Sequence, residues 1–270
     1  MIKKIYILLI VLFCVLSCQA TSSKIELGIK QLDVNEYFNN PKAIALANAA
    51  VDGNITKINE LIDSGTPVDI QGRSGITPLW WVTFNRGRYG YDAMEALLKR
   101  GANPDAEFTE LNSTMLDLFA SGTVPELIKL FVKHGADMYW VDREHGRTFP
   151  PIAGSFTMRN FENVKMFYQL GFDMNYKNHC DVPLVYDAVA SSAYDIVIWM
   201  IEDLGVETNG YSQAGQSVAH LVQSQYKLKR GKEKRQLEKI IELLKARGAK
   251  FPAISAPEYR KIHGIKEVCL

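Results

Sequence analysis

One stretch of the sequence comes close to a nucleophilic serine motif. Residues 210–214 read Gly-Tyr-Ser-Gln-Ala, which places Ser212 one residue away from a G-x-S-x-G pattern. In that pattern the serine attacks a carbonyl carbon and begins a hydrolytic acyl transfer, and a sharp turn from a buried strand into a helix presents its hydroxyl. Because this stretch follows Gly205, one of the glycines that recur along the chain, we expect it to form an exposed hairpin and Ser212 to have no catalytic role.

The histidines and the remaining thiols do not form a recognisable metal site. Zinc sites need paired ligands at short spacings, whereas the five histidines are scattered singly along the chain: His134, His145, His179, His220 and His263. Cys180 and Cys269 belong to well-separated segments, and a disulfide between them would require the C-terminal tail to fold back. The sequence leaves that pairing open. We expect no metal, no cofactor and no enzymatic activity.

Composition narrows the class of protein further. The chain has 270 residues, of which 47% are hydrophobic, so it can form one large domain or two small ones with a real core. Disordered, collagenous and multipass membrane classes are excluded. With 31 basic against 30 acidic residues, the formal charge is +1, which is not the basic footprint that a phosphate backbone requires. Nucleic acid is therefore not an expected partner.

The N-terminus is typical of a secretory signal. Lys3 and Lys4 precede an apolar run from Ile5 to Leu16, and this run is shorter than the roughly 20 residues that span a bilayer. The quartet Val15-Leu16-Ser17-Cys18 resembles the lipobox of bacterial lipoproteins. The resemblance implies a signal peptide over residues 1–17, lipid attachment at Cys18, and a tether that extends to residue 40. A plain signal peptide cleaved nearby is the alternative.

Residue 19 bears on which membrane would hold such an anchor. An aspartate after the lipidated cysteine would resemble the inner-membrane retention signal of enteric bacteria, and Gln19 stands there instead. The expected location is the periplasmic face of the cell envelope. The outer membrane is favoured, and the inner membrane remains open.

A repeating pattern begins after residue 40. Glycines recur at intervals of about 34–43 residues, and each follows a helical stretch that contains an apolar pair such as Leu97-Leu98. An apolar pair one turn before a helix-ending glycine is typical of core contacts followed by a left-handed C-cap. The glycines are Gly65, Gly101, Gly135, Gly171, Gly205 and Gly248.

The second of these units resembles the ankyrin repeat. It carries Gly75, Thr77-Pro78-Leu79, Leu97-Leu98 and Gly101-Ala102-Asn103 at the family's positions. The resemblance implies an all-α repeat solenoid of about six ankyrin repeats, each a helix-turn-helix with β-hairpin loops, over residues 41–252. Residues 253–270 form a C-terminal tail. In the fourth unit, Pro150 and Pro151 are expected to shorten the first helix.

An ankyrin solenoid implies binding to a protein partner, because its hairpin tips and first helices line up into one extended face. The aromatic residues Trp80 and Trp81 lie next to core positions, so packing is preferred over binding for them. Tyr139, Trp140 and Tyr211 fall on hairpin arms or tips. The predicted partner-facing residues are Arg73, Ser74, Ile76, Phe84, Asn85, Glu110, Leu111, Ser113, Glu144, His145, Arg147, His179, Asp181 and Gln216.

The sixth unit carries an insertion of about ten residues. Residues 227–235 contain six basic residues and one acidic residue. A solvated loop that extends a helix is the simplest interpretation. Contact with anionic lipid headgroups or with an acidic patch on a protein partner is the alternative.

The layout of the chain suggests a more specific partner. A small ankyrin lipoprotein whose tether leads through Asn39-Asn40-Pro41-Lys42-Ala43 into the first repeat resembles immunity proteins of type VI secretion phospholipase effectors. The resemblance implies that the chain binds and neutralises a lipase-type toxin in the periplasm, attached to the membrane through its lipid anchor. The alternative is a non-enzymatic scaffold that binds other envelope proteins.

Overall fold

The computed structural model describes residues 33–86, 90–266 and 269. The predicted signal peptide and Cys18 lie outside these residues. None of the described helices combines the length and the apolar character that crossing a bilayer would require. The chain divides into two compact units, residues 1–145 and 146–270.

The first unit is built from helices joined by loops. A short helix is followed by three helix pairs. A 3-10 turn, Arg73–Gly75, lies in the hairpin between the first and the second pair. The helices are α1 Val34–Tyr37, α2 Pro41–Val51, α3 Ile55–Asp63, α4 Pro78–Arg86, α5 Tyr91–Lys99, α6 Met115–Ala120 and α7 Pro125–Lys133.

The second unit continues the same pattern. Three further helix pairs are followed by one helix in the tail: α8 Ile152–Thr157, α9 Phe161–Gln169, α10 Leu184–Ala190, α11 Tyr194–Glu202, α12 Val218–Leu228, α13 Gly231–Ala246 and α14 Ala256–His263. The described residues of the two units thus form six helix pairs, as predicted. Among the described residues the hairpins contain no strands, only the isolated bridges Phe108–Ser113 and Lys177–Pro183.

Polar residues at the predicted helix starts cap their helices. The Asn40 side chain accepts the Lys42 N–H (2.9 Å) in front of Pro41, whose fixed φ suits the first turn of a helix. In the fourth unit, α8 begins only after Pro151 and has six residues. This agrees with the expected shortening.

Gly101 shows how the second helix of a repeat ends. Its φ of +89° lies in the left-handed region, which residues with a Cβ rarely adopt. The turn lets the N–H of Ala102 reach back to the carbonyl of Leu97 (3.0 Å). This is the closure that the recurring glycines predicted, and it directs the chain into the hairpin.

Carboxylates join successive hairpins within the first unit. Both oxygens of Asp69 accept the backbone N–H of Asn103 (3.1 and 3.0 Å), and both oxygens of Asp105 accept the N–H of Asp137 (3.0 Å each). Burial raises the pKa of Asp69 and of Asp105, and the accepted N–H group partly opposes the shift. Each pair links one repeat to the next at the same place in its hairpin.

The second unit repeats this link with an amide. The Asn175 side chain accepts the N–H of Glu207 (2.8 Å), and the Asn209 side chain donates to the carbonyl of Arg247 (2.7 Å). The period seen in the sequence therefore has a physical basis, because after four of the six glycines the side chain four residues on bonds the backbone of the following repeat: Asp69, Asp105, Asn175 and Asn209.

Residues 34–38, which fall within the predicted tether, are part of the folded domain. The rings of Tyr37 and Phe38 are buried and contact Trp81, with ring centroids 5.6 and 5.8 Å apart. Gly72 leaves room for the Phe38 ring, since a Cβ at residue 72 would lie 2.8 Å from that ring and 2.9 Å from Ile76. The folded chain therefore begins before the first predicted repeat.

The C-terminal tail folds back onto the last hairpin. A disulfide joins Cys180 to Cys269, with 5.6 Å between their Cα atoms. The ring of Tyr259, on α14, stacks on Tyr211 at 3.8 Å. These contacts place α14 directly against the hairpin of the sixth repeat, and they resolve the pairing that the sequence left open.

Candidate protein-binding surface

In the first unit, predicted partner residues of two neighbouring hairpins contact one another. The Arg73 guanidinium lies 4.5 Å from the centre of the Tyr37 ring, and its Nε lies 3.5 Å from a Glu110 carboxylate oxygen. The Ser74 hydroxyl donates to the same carboxylate at 2.9 Å. Burial and the Glu110 charge raise the pKa of Tyr37, and Arg73 opposes them. The Arg73 side chain remains exposed.

Aromatic residues of the next hairpin extend this surface. The Trp140 indole N–H donates to Glu107 (3.3 Å), and the Tyr139 side chain is 38% exposed. We call Arg73, Ser74, Glu107, Glu110, Tyr139 and Trp140 the unit 1 hairpin surface. Trp, Tyr and Arg are the residue types that contribute most to binding hot spots.

Two more predicted residues lie beside this surface in sequence. Glu144 is exposed, and the His145 ring lies 2.6 Å from an Asp142 carboxylate oxygen. The Asp142 side chain also accepts the N–H of His145 (3.2 Å). These contacts hold the imidazole at the surface.

The second unit has a corresponding arrangement around Gln213. Its side-chain N–H₂ donates to the carbonyl of His179 (3.2 Å) and to the carboxylate of Asp181 (3.1 Å). His179 and Asp181 are both exposed. Asp181 and Ser74 both have a left-handed φ of +59°, which costs a non-glycine residue about 1 kcal/mol. Residues held this way often mark functional turns.

Two predicted partner residues are wrong, because they belong to the core. Ile76 is fully buried, and its side chain lies against Gly72, where a Cβ would approach it to 2.9 Å. Phe84 is also buried, and its ring contacts Trp80 at 5.1 Å and Phe108 at 5.4 Å. Neither side chain is available to a partner.

Other predicted partner residues are only partly accessible. The Asn85 amide donates to the carbonyl of Trp81 (2.8 Å), within its own helix. The Gln216 amide donates to the Tyr186 hydroxyl (3.4 Å). These side chains are half-buried, as are Leu111, Ser113 and Arg147. Each of them offers only part of its surface to a partner.

Ser212 is not arranged as a nucleophile. Its side chain is buried, and the hydroxyl donates to the Gln216 side chain at 3.2 Å and accepts the Gln216 N–H at 3.1 Å. These bonds close the hairpin, so the serine has a structural role. Its burial differs from the exposed hairpin position that the spacing indicated.

The predicted residues do not include Glu107, Gln213 or Tyr259. Glu107 precedes the hairpin positions that the ankyrin pattern marks, and Tyr259 lies in the C-terminal tail. Gln213 lies inside the sixth hairpin, five residues before α12 as Arg73 is five residues before α4, so its place in the repeat was a signal that could have found it. A signal existed for α14, where Ser255 caps the helix by accepting the Glu258 N–H (3.3 Å). Nothing in that signal indicates where the helix docks.

A half-buried carboxyl lies on α10 of the second unit. Burial raises the pKa of Asp187 from 3.8 to about 6, and its carboxylate forms no salt bridge with any residue in the described ranges. Between these two values the folded state binds more protons than the unfolded state. The free energy of unfolding therefore falls as the pH rises from about 4 to 6.

Replacing this carboxyl with its neutral amide should stabilise the second unit. We expect Asp187→Asn to raise the free energy of unfolding at pH 7 by about 1–3 kcal/mol, since the cost of ionising the buried group disappears. Urea unfolding of wild type and variant at pH 4 and pH 7 measures this. Exposed Asp181→Asn is the control, and equal stabilisation by Asp187→Asn at both pH values would contradict the interpretation.

Comparison with known proteins agrees with this geometry. Residues 74–107, which run from the 3-10 turn through α4 and α5 into the next hairpin, match the family model of the ankyrin repeat. No curated protein sequence matches the chain.

Solved structures show the same fold over most of the chain. The ankyrin repeat domain of Bcl-3 has a TM-score of 0.60 at 18% identity, covering 79% of this chain and 90% of its own. An ankyrin repeat domain from Acinetobacter baumannii AYE has 0.59 at 19%, covering 76% and 98%. The human ASB11 ankyrin repeat domain has 0.56 at 18%, covering 79% and 87%. The chain therefore contains an ankyrin repeat at residues 74–107 and adopts the ankyrin-repeat fold.

Proposed function

We propose that this protein is an ankyrin lipoprotein of the cell envelope that binds and neutralises a secreted phospholipase toxin in the periplasm. The observation that carries the binding role is the unit 1 hairpin surface, where an exposed arginine and two aromatic side chains stand among fixed carboxylates. Ankyrin repeats are protein-interaction modules, and this surface has the composition of a hot spot. An inhibitor needs no catalytic group of its own.

The proposed location has separate support. Disulfides form and persist in oxidising compartments such as the periplasm, and Cys180 pairs with Cys269. The lipobox-like quartet that ends at Cys18 would retain the exported chain at a membrane, on the outer membrane in our proposal. Tethering raises the effective concentration of an inhibitor where a lipase meets its substrate.

The test is protection against a toxin. Cells would co-express the chain with a candidate phospholipase that is exported to the periplasm and encoded beside its gene. The double variant Arg73→Ala/Trp140→Ala should lose protection and weaken toxin binding about a hundredfold or more in calorimetric titration. Lys57→Ala/Glu60→Ala, which removes an exposed pair on α3, is the matched control and should protect fully.

Two further arms separate the parts of the proposal. Cys18→Ala should release the chain from membranes or leave it unprocessed, and it should weaken protection without changing toxin binding in solution. Full protection by folded Arg73→Ala/Trp140→Ala would place the binding surface elsewhere. If no secreted lipase binds while resident envelope proteins do, the scaffold alternative is correct.

A further inference from the structure

The insertion in the sixth repeat forms a strongly basic turn between two long helices. Helix α12 ends at Leu228 and α13 begins at Gly231, so residues 227–235, which we call the basic tip, connect and extend them. The Arg230 guanidinium donates to the carbonyls of Lys227 (3.4 Å) and Lys229 (2.9 Å). These bonds satisfy the C-terminal end of α12 and order the turn.

An aliphatic side chain projects from this turn. Leu228 is 78% exposed, more than any other large hydrophobic residue in the described ranges. A single exposed leucine is ordinary by itself. Here, however, the sequence surrounds it with cations: Lys227, Lys229, Arg230, Lys232, Lys234 and Arg235.

The cations of the tip are only partly neutralised. Glu233, the single acidic residue of the tip, lies 3.2 Å from Lys229 and 3.4 Å from Arg159 in the turn between α8 and α9. Lys234 lies over the ring of Tyr226, 4.8 Å from its centre. The remaining cations, Lys227, Lys232 and Arg235, are exposed and make no ion pair with a described residue.

The contact with Arg159 extends the surface to a second element. The neighbour of Arg159, Met158, is 39% exposed. Met158 and Arg159 stand in the turn between α8 and α9, so a cation and an exposed apolar residue of this turn come close to the tip through the Arg159–Glu233 contact. The positive charge is concentrated in the tip, since the chain as a whole has a net charge of only +1.

We propose that the basic tip docks on an anionic lipid surface, with Leu228 inserted among the acyl chains and the surrounding cations at the headgroups. The negative potential of such a surface attracts each Lys or Arg that comes near it, and the hydrophobic effect favours moving an exposed leucine side chain out of water. Lysine, the commoner cation here, is a flexible point charge that needs no rigid counterpart. A protein hot spot instead favours Trp, Tyr and Arg in a shaped pocket.

This inference goes beyond the proposed function, because it concerns the folded domain and requires neither the toxin nor the lipid at Cys18. The test uses the full chain with the photocrosslinking residue p-benzoylphenylalanine in place of Leu228. The chain is mixed with vesicles of phosphatidylcholine alone or with about one third phosphatidylglycerol. Mass spectrometry then measures the lipid adduct. The same residue in place of Ile262, which is 63% exposed on α14, is the control.

We expect a lipid adduct at position 228 that is at least about tenfold stronger with phosphatidylglycerol and falls as salt is raised. Lys227→Glu/Lys232→Glu/Arg235→Glu should reduce it about tenfold or more while thermal unfolding stays near wild type. The proposal would be overturned if the adduct at position 228 were equally strong with and without phosphatidylglycerol. It would also be overturned if that adduct were no stronger than the one at position 262. Crosslinking in cells to a protein but not to lipid would assign the tip to an acidic protein partner instead.

Discussion

Replacing Trp80 with alanine should lower the free energy of unfolding of the first unit by about 3–5 kcal/mol. The Trp80 ring is fully buried and contacts Phe84 at 5.1 Å and Phe108 at 5.7 Å. Its indole N–H donates to the carbonyl of Ala106 at 2.7 Å. The substitution therefore leaves a cavity between two repeats and an unsatisfied carbonyl in the hairpin. Urea unfolding followed by circular dichroism measures the loss.

Two controls separate these contributions. Trp80→Phe keeps a ring but removes the donor, so it should cost less than Trp80→Ala. Trp140→Ala removes a tryptophan that is not fully buried and should change stability by no more than about 1 kcal/mol. A midpoint for Trp80→Ala within error of wild type would mean that the core does not depend on this side chain.

The double variant Cys180→Ser/Cys269→Ser should destabilise the second unit by about 2–4 kcal/mol. The disulfide closes a loop between residues 89 positions apart, so its removal frees a large number of unfolded conformations. The variant replaces both cysteines, because a single substitution would leave a reactive thiol. Differential scanning calorimetry with and without reductant measures the effect.

The wild type should lose stability in reductant, and the double variant should not respond to it. Tyr259→Ala is the comparison, since it removes the ring that stacks on Tyr211 but keeps the covalent link. We expect this change to cost about 1 kcal/mol. Equal thermal midpoints for reduced and oxidised wild type would show that the disulfide adds nothing to the stability of the unit.

The fold followed from the sequence because its determinants are local. A left-handed glycine such as Gly101, the apolar pair before it and the Thr77-Pro78-Leu79 start each act within one repeat. These signals recur, so weak matches in single units support one another. The six helix pairs were therefore predictable, and the ankyrin resemblance indicated how they are arranged.

The binding residues were predicted less well, because exposure depends on distant segments. Ile76 and Phe84 were predicted to face a partner, yet Ile76 is buried against Gly72, and the ring of Phe108 from the next hairpin packs on Phe84. Spacing within one repeat carries no information about such covering rings. The same reason applies to α14, whose docking depends on Tyr211 and on the disulfide rather than on its own sequence pattern.

The disulfide has a consequence for how the chain survives proteases. The basic tip offers exposed Lys227, Lys232 and Arg235 to enzymes that cleave after basic residues, and it lies inside the covalent loop that Cys180 and Cys269 close. A cut in the tip therefore leaves two fragments that stay attached to each other. Helices α12 and α13 on either side of the cut also pack against each other. A nicked molecule therefore stays one particle without reductant, and after reduction only non-covalent packing holds its two fragments together.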